Sequence, residues 1–131
     1  MTSHGLKDAS NDAAQIRVWW GNSPDANVAV ACGPSGLAVL DIDHGLADKT
    51  ALTEWARGLP DSDEPPTYAV RTGRRPELGV QLYFAGAVPD VGLWKMNGCE
   101  GQVKSLGGYV MAAGCVHPVS GERYEVFADE P

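Results

Sequence analysis

The stretch Leu37-Ala38-Val39-Leu40-Asp41-Ile42-Asp43 is an apolar run that closes on two carboxylates two residues apart, followed by His44 and Gly45. Side chains alternate between faces along a strand, so Asp41 and Asp43 share one face while Ile42 points the other way, into a core. Two like charges at the end of an apolar strand repel each other and lose hydration, a cost that a cation offsets. A magnesium or manganese ion carrying a nucleoside triphosphate would supply that charge. The alternative is a strand that stops at Asp41, with Asp43 and His44 opening a polar turn and both carboxylates in water.

Upstream, residues 27–32 are apolar and partly β-branched and reach the quoted run through Gly33-Pro34-Ser35-Gly36. This reads as strand, tight turn and strand, a pair expected at the centre of a sheet. Before it, a helix is predicted from Ser10, with Ser10 or Asn11 as cap, Asp12 at the positive end of the dipole, and Ala13, Ile16 and Trp20 on one face. Residues 21–25 end it. A second helix is predicted over 46–59, with Leu52, Trp55, Ala56 and Leu59 on one side and Gly58-Leu59-Pro60 as its exit. An acidic surface loop follows at 61–66, and then strands at 67–72, 80–85, 102–104, 109–113 and 124–127. Strand segments outnumber helices, so the predicted class is α+β, a mixed, largely antiparallel sheet with flanking helices. Residues 1–9 are polar and read as a flexible tail or the cut end of something longer.

A chain of 131 residues with 44% apolar content and four Trp has the size of one domain, 1–131. Its formal charge of −7 excludes a general electrostatic grip on nucleic acid, so any such contact must use a local patch. The visible basic focus is Arg71, Arg74 and Arg75. Cys32, Cys99 and Cys115 are widely spaced with no C-x-x-C pair, which argues against a zinc site and for reduced thiols. No apolar run approaches the roughly 20 residues of a membrane span, and no signal pattern opens the chain, so a cytoplasmic location without a membrane partner is expected.

Thr72-Gly73-Arg74-Arg75-Pro76 has the composition of an anion-holding loop, since arginine forks bind phosphate bidentately; the plainer reading is an exposed hairpin tip. Gly107-Gly108 precedes the strand Tyr109-Val110-Met111-Ala112-Ala113, and glycines there permit close approach of a ligand or simply make a turn. His117, beside Pro118, has the chemistry to ligate metal, act as a base or bind phosphate, and equally suits a turn with one satisfied nitrogen. Cys32 and Cys115 have no basic neighbour in sequence and read as inert buried thiols. The four Trp read as core or rim aromatics, and no G-x-S-x-G, P-loop or dinucleotide fingerprint occurs.

The order of these segments resembles the N-terminal domain of bifunctional DNA primase-polymerases, in the archaeo-eukaryotic primase superfamily. The resemblance covers nearly the whole chain. Its opening is Lys7-Asp8-Ala9, the helix ending in Trp19-Trp20, Pro24-Asp25-Ala26-Asn27-Val28, and Gly33-Pro34-Ser35-Gly36-Leu37 leading into Asp41-Ile42-Asp43. Its close is Gly107-Gly108-Tyr109-Val110, Cys115-Val116-His117-Pro118, Ser120-Gly121 and Tyr124.

The resemblance implies a primase-like fold with an RRM-like core, short at its N-terminus, and template-directed nucleotidyl transfer in DNA replication, for primer synthesis or extension. It implies Mg2+ or Mn2+ as cofactor, a nucleoside triphosphate and a DNA template-primer as ligands, and a helicase or other replication protein as partner. A missing opening strand would leave a sheet edge for a homodimer. Asp41 and Asp43 match the family's metal carboxylates. The family's G-G-x-H motif corresponds to Leu78-Gly79-Val80-Gln81, which puts Gln81 at the histidine position. The acid expected ahead of G-G-Y-V corresponds to Gln102. Arg74, Gln81, Lys104 and His117 are the implied nucleotide contacts, and Asp41, Asp43 and Gln102 the implied catalytic set. Glutamine offers a metal only a neutral carbonyl oxygen, so catalysis is expected to be weakened, with a degenerate nucleotide or nucleic-acid binding module as the alternative. Glu100, two residues from Gln102 on the same face, is a candidate substitute acid.

Overall fold

A computed structural model of the chain describes residues 3–59 and 68–129, so the loop predicted at 61–66 lies outside the described residues. The helices are α1 (Ala13–Asn22) and α2 (Lys49–Arg57), preceded by a 3-10 turn at Gly5–Asp8. The strands are β1 (Ala29–Ala31), β2 (Leu37–His44), β3 (Tyr68–Arg71), β4 (Val80–Ala85), β5 (Val91–Met96), β6 (Cys99–Lys104), β7 (Tyr109–Met111) and β8 (Glu125–Asp129). Six of them form one sheet in the order β5-β6-β2-β4-β3-β8, and β1 pairs with β7 in a second. Every strand pairing among the described residues is antiparallel, and with the two helices this makes an α+β fold.

β2 lies inside the large sheet with β4 on one side and β6 on the other, so both of its edges are paired. On one face Ile42, Val80, Leu82, Ala69 and Cys99 pack against Leu46 and the Leu52 and Trp55 side chains of α2. On the opposite face Val39 packs against Cys32 and Val110, contributed by the turn after β1 and by β7. Farther along that face Val70 meets Cys115 and Tyr124. The small sheet therefore covers the large one opposite α2, leaving a core on each side of the central strands.

Two sequence expectations are corrected. β1 and β2 do follow one another through a tight turn, with the Leu37 amide donating to the Cys32 carbonyl at 3.0 Å, but they do not pair. Instead the Cys32 amide donates to the Gly108 carbonyl, which carries β1 out of the sheet plane and over Val39 as part of its cover. The first helix starts at Ala13 with Asp12 as its cap, the Asp12 carboxylate accepting from the Ala14 and Gln15 amides at 2.7 and 3.2 Å. None of its residues is buried. The face of Ala13, Ile16 and Trp20 thus lies on the rim, and Trp20 spends its indole N–H on the Ala26 carbonyl.

β5 was not anticipated. It is an outer strand with Val91, Leu93 and Met96 exposed, so it lacks the burial pattern of a core strand. The Asn97-Gly98 turn that joins it to β6 has both residues at positive φ, 50° and 80°, which suits the twist of a two-residue hairpin.

The β6–β7 connection is pinned from within. Ser105 is fully buried; its hydroxyl accepts from the Val88 amide at 3.1 Å and donates to the Leu37 carbonyl at 2.8 Å. Asp90 accepts from the Ser105 and Gly107 amides. Replacing Ser105 with Ala leaves the Val88 amide and the Leu37 carbonyl without this partner and is expected to cost about 2 kcal/mol in urea unfolding. A loss below about 0.5 kcal/mol would show that water replaces the hydroxyl.

Candidate functional site

Antiparallel register sets the site. Asp41 on β2 is directly opposite Gln81 on β4 and directly opposite Gln102 on β6, so the three side chains form one row across the three central strands on the face away from α2. Directly opposed Cβ atoms lie about 5 Å apart, within reach of one shared ligand. Two residues along the same strands, Val39 is opposite Lys104, which brings that ammonium beside the row. Lys104 makes no ion pair among the described residues.

Asp43 is presented differently. Between Ile42 and His44 the β2–β6 register slips, Ile42 facing Gly101 and His44 facing Glu100, so Asp43 has no partner on β6. A bulge of this kind bends the strand and re-aims side chains. Here it turns Asp43 and His44 toward the 72–79 loop. Arg74 from that loop donates to Asp43 Oδ1 at 3.2 Å, and its second amino nitrogen meets His44 Nε2 at 2.6 Å. His44 Nδ1 is 3.1 Å from Glu77 Oε2, which also accepts from the Gly45 amide at 3.0 Å. These bonds hold the Glu77 carboxyl below its ordinary range, the Gly45 amide contributing most.

The half-buried Asp41 carboxyl is pushed up to about 7, first by burial and then by the neighbouring Asp43 charge; Lys104, Arg74 and a hydrogen bond from Gln81 act in the opposite direction. Gln81 itself is 3% exposed. Its carbonyl oxygen accepts from the Tyr83 hydroxyl at 3.1 Å, so the amide nitrogen is the end left to donate to Asp41. Burial raises the Tyr83 hydroxyl pKa, which keeps it a donor. Tyr124 closes the floor from the far side, its hydroxyl likewise raised by burial and by the charges of Asp41 and Asp43.

The other sequence candidates are distributed around this row. His117 stacks on Tyr124 with ring centroids 6.1 Å apart, and its Nδ1 accepts from the Val119 and Ser120 amides. It touches the arginine loop through Gly73, where an added Cβ would lie 2.5 Å from His117 Cβ. Arg75 turns away to Glu122 at 3.3 Å. Glu100 does not join the site, because it is ion-paired with Lys95 at 2.6 Å. His44, Glu77, Tyr83 and Tyr124 complete the cluster and were not among the site residues that the sequence suggested. An apolar cavity of about 190 Å3 between Trp19, Trp20 and Tyr109 contains none of the candidate site residues.

Among family models, that of the bifunctional DNA primase/polymerase N-terminal domain, Prim-Pol, matches residues 1–131. The chain belongs to the Prim-Pol family. No curated protein and no solved structure matches it. As a Prim-Pol domain it is assigned to the primase/polymerase class of replication domains, whose ligands are nucleotide and DNA. No helix among the described residues is long and apolar enough to cross a membrane.

The family implies bound divalent metal, and the donor set of this Prim-Pol chain tests that. Asp41 and Asp43 offer carboxylates close enough for the charge of one to act on the other, and Gln102, opposite Asp41, carries the neutral oxygen of an amide. Hard divalent cations prefer such oxygen ligands, so the set fits one Mg2+ or Mn2+. Among the described residues no three His, Cys, Asp or Glu come together as a metal cluster.

Proposed function

We propose that this Prim-Pol domain binds a nucleoside triphosphate together with one divalent cation and supports slow template-directed nucleotidyl transfer at a DNA primer end. The observation that carries this reading is the row in which Asp41 stands in register between Gln81 and Gln102. Asp41 and Asp43 would hold Mg2+ or Mn2+, which supplies neutralising charge for the triphosphate. Lys104 would meet phosphate oxygens, a role supported by its position beside the row without an ion-pair partner among the described residues. Arg74 brings a second cationic group from the loop. Gln81 orients Asp41 instead of reaching outward, because both ends of its amide are engaged. His117 buttresses the arginine loop through Gly73.

A second reading, a binding module without catalysis, draws support from the two glutamines, since each is neutral where the family has an acid or a histidine. Primer extension with a labelled template-primer and Mn2+ separates the two. Slow extension by the wild type, raised roughly tenfold or more in the Gln81→His, Gln102→Asp double variant, is the result expected. Nucleotide binding with no extension by either protein would favour the module. Failure of the wild type to bind either deoxynucleotide or template-primer by calorimetry would remove both readings.

A further inference from the structure

The contact between Arg74 and Asp43 has partners of its own. Arg74 donates to Asp43 Oδ1 at 3.2 Å, and the same guanidinium meets His44 Nε2 at 2.6 Å. An arginine has no acceptor, so His44 Nε2 must accept, and the imidazole proton then sits on Nδ1. That proton points to Glu77 Oε2 at 3.1 Å. Glu77 is tied in turn to the backbone amide of Gly45, at the foot of the bulge. Four side chains and one amide thus run in a single chain of donors and acceptors that ends on Asp43. All of them come from the end of β2 and the loop ahead of β4.

We propose that Arg74 is a built-in counter-ion for Asp43, locked in place by the positioning pair His44 and Glu77, which a divalent cation must displace before it occupies the carboxylate pair. The guanidinium occupies the charge position that the cation needs, and two positive groups cannot share one carboxylate at these distances without mutual repulsion. The arrangement keeps Asp43 neutralised in the free protein. Once displaced, Arg74 is at liberty to take a phosphate, which makes cation and nucleotide cooperative. This last step rests on the nucleotide reading above, whereas the counter-ion itself does not.

Manganese chloride titrated alone into the full chain by calorimetry tests the counter-ion directly, with circular dichroism melting as the check on folding. Arg74→Met keeps the stem and removes the charge, and is expected to bind Mn2+ about tenfold more tightly than wild type. The uncharged change His44→Ala unlocks the arginine and is expected to tighten Mn2+ about threefold. A merely structural role for either residue would not raise cation affinity. Unchanged or weaker Mn2+ binding by Arg74→Met overturns the proposal, as does Mn2+ binding by neither protein. Weaker binding by His44→Ala also overturns it, because His44 would then be a ligand. With deoxynucleotide added, Arg74→Met is expected to lose about tenfold in nucleotide affinity. Tighter Mn2+ with no nucleotide bound by any form leaves the counter-ion standing and removes the nucleotide reading instead.

Discussion

Asp41→Asn is expected to make the protein more stable at pH 8 while abolishing the Mn2+ binding proposed for the site. The Asp41 carboxyl has an ordinary value of 3.8 and is raised in the fold to about 7, mainly by burial and then by Asp43. Between those two values the folded state keeps a proton that the unfolded chain releases. Stability therefore falls as pH climbs through that window, and the deficit is complete above it. A gap of about three pK units at ~1.4 kcal/mol each, reduced because the carboxyl is not wholly enclosed, gives a penalty of about 2–4 kcal/mol at pH 8. Asparagine has the shape of the protonated acid and avoids that penalty, so its melting temperature at pH 8 should exceed that of wild type by roughly 10 °C. Near pH 4 the two proteins should melt together. An Asn advantage that is constant from pH 4 to pH 8 would locate its origin in packing, not in the charge.

The second large effect comes from Gly101. It sits on β6 opposite Ile42, beside the bulge, where β2 and β6 approach so closely that an added Cβ would overlap the Asp41 carbonyl and crowd Ile42 Cα. The three atoms nearest to it are all backbone, so relief cannot come from a side chain swinging aside. Gly101→Ala is expected to cost about 4 kcal/mol or more in urea unfolding. It should also weaken Mn2+ binding, because relief requires β6 to move and Gln102 moves with it, away from Asp41. A loss under about 1 kcal/mol would mean that the two strands separate easily.

Much of this was legible in the sequence. Strand period predicted one face for Asp41 and Asp43, and the register slip between Ile42 and His44 interrupts that period at Asp43; β2 runs as an apolar strand up to Asp41 because each of its faces meets a core. Gln81 and Gln102 were located by family motif order, and register then placed both opposite the same aspartate. Arg74 was marked as an anion contact, yet its partners His44 and Glu77 were not, because the register slip at Ile42/His44 has no signature in residue spacing and the contacts span about thirty residues. β5 was overlooked although Asn97-Gly98 is a strong hairpin signal, since exposed Val91, Leu93 and Met96 do not mark a buried face. The first helix shows the converse failure: apolar residues at helical spacing imply a buried stripe, and α1 has none.

The row Gln102, Asp41, Gln81 and the loop bearing Arg74 belong to different regimes of motion. Amides of the three central strands are locked in ladders on both sides of β2, so their hydrogen exchange should require opening of the whole domain. Arg74 lies in a connection held by its own side-chain contacts, and such segments open locally and faster. An incoming ion would find its carboxylates already in place, and only the arginine would have to travel.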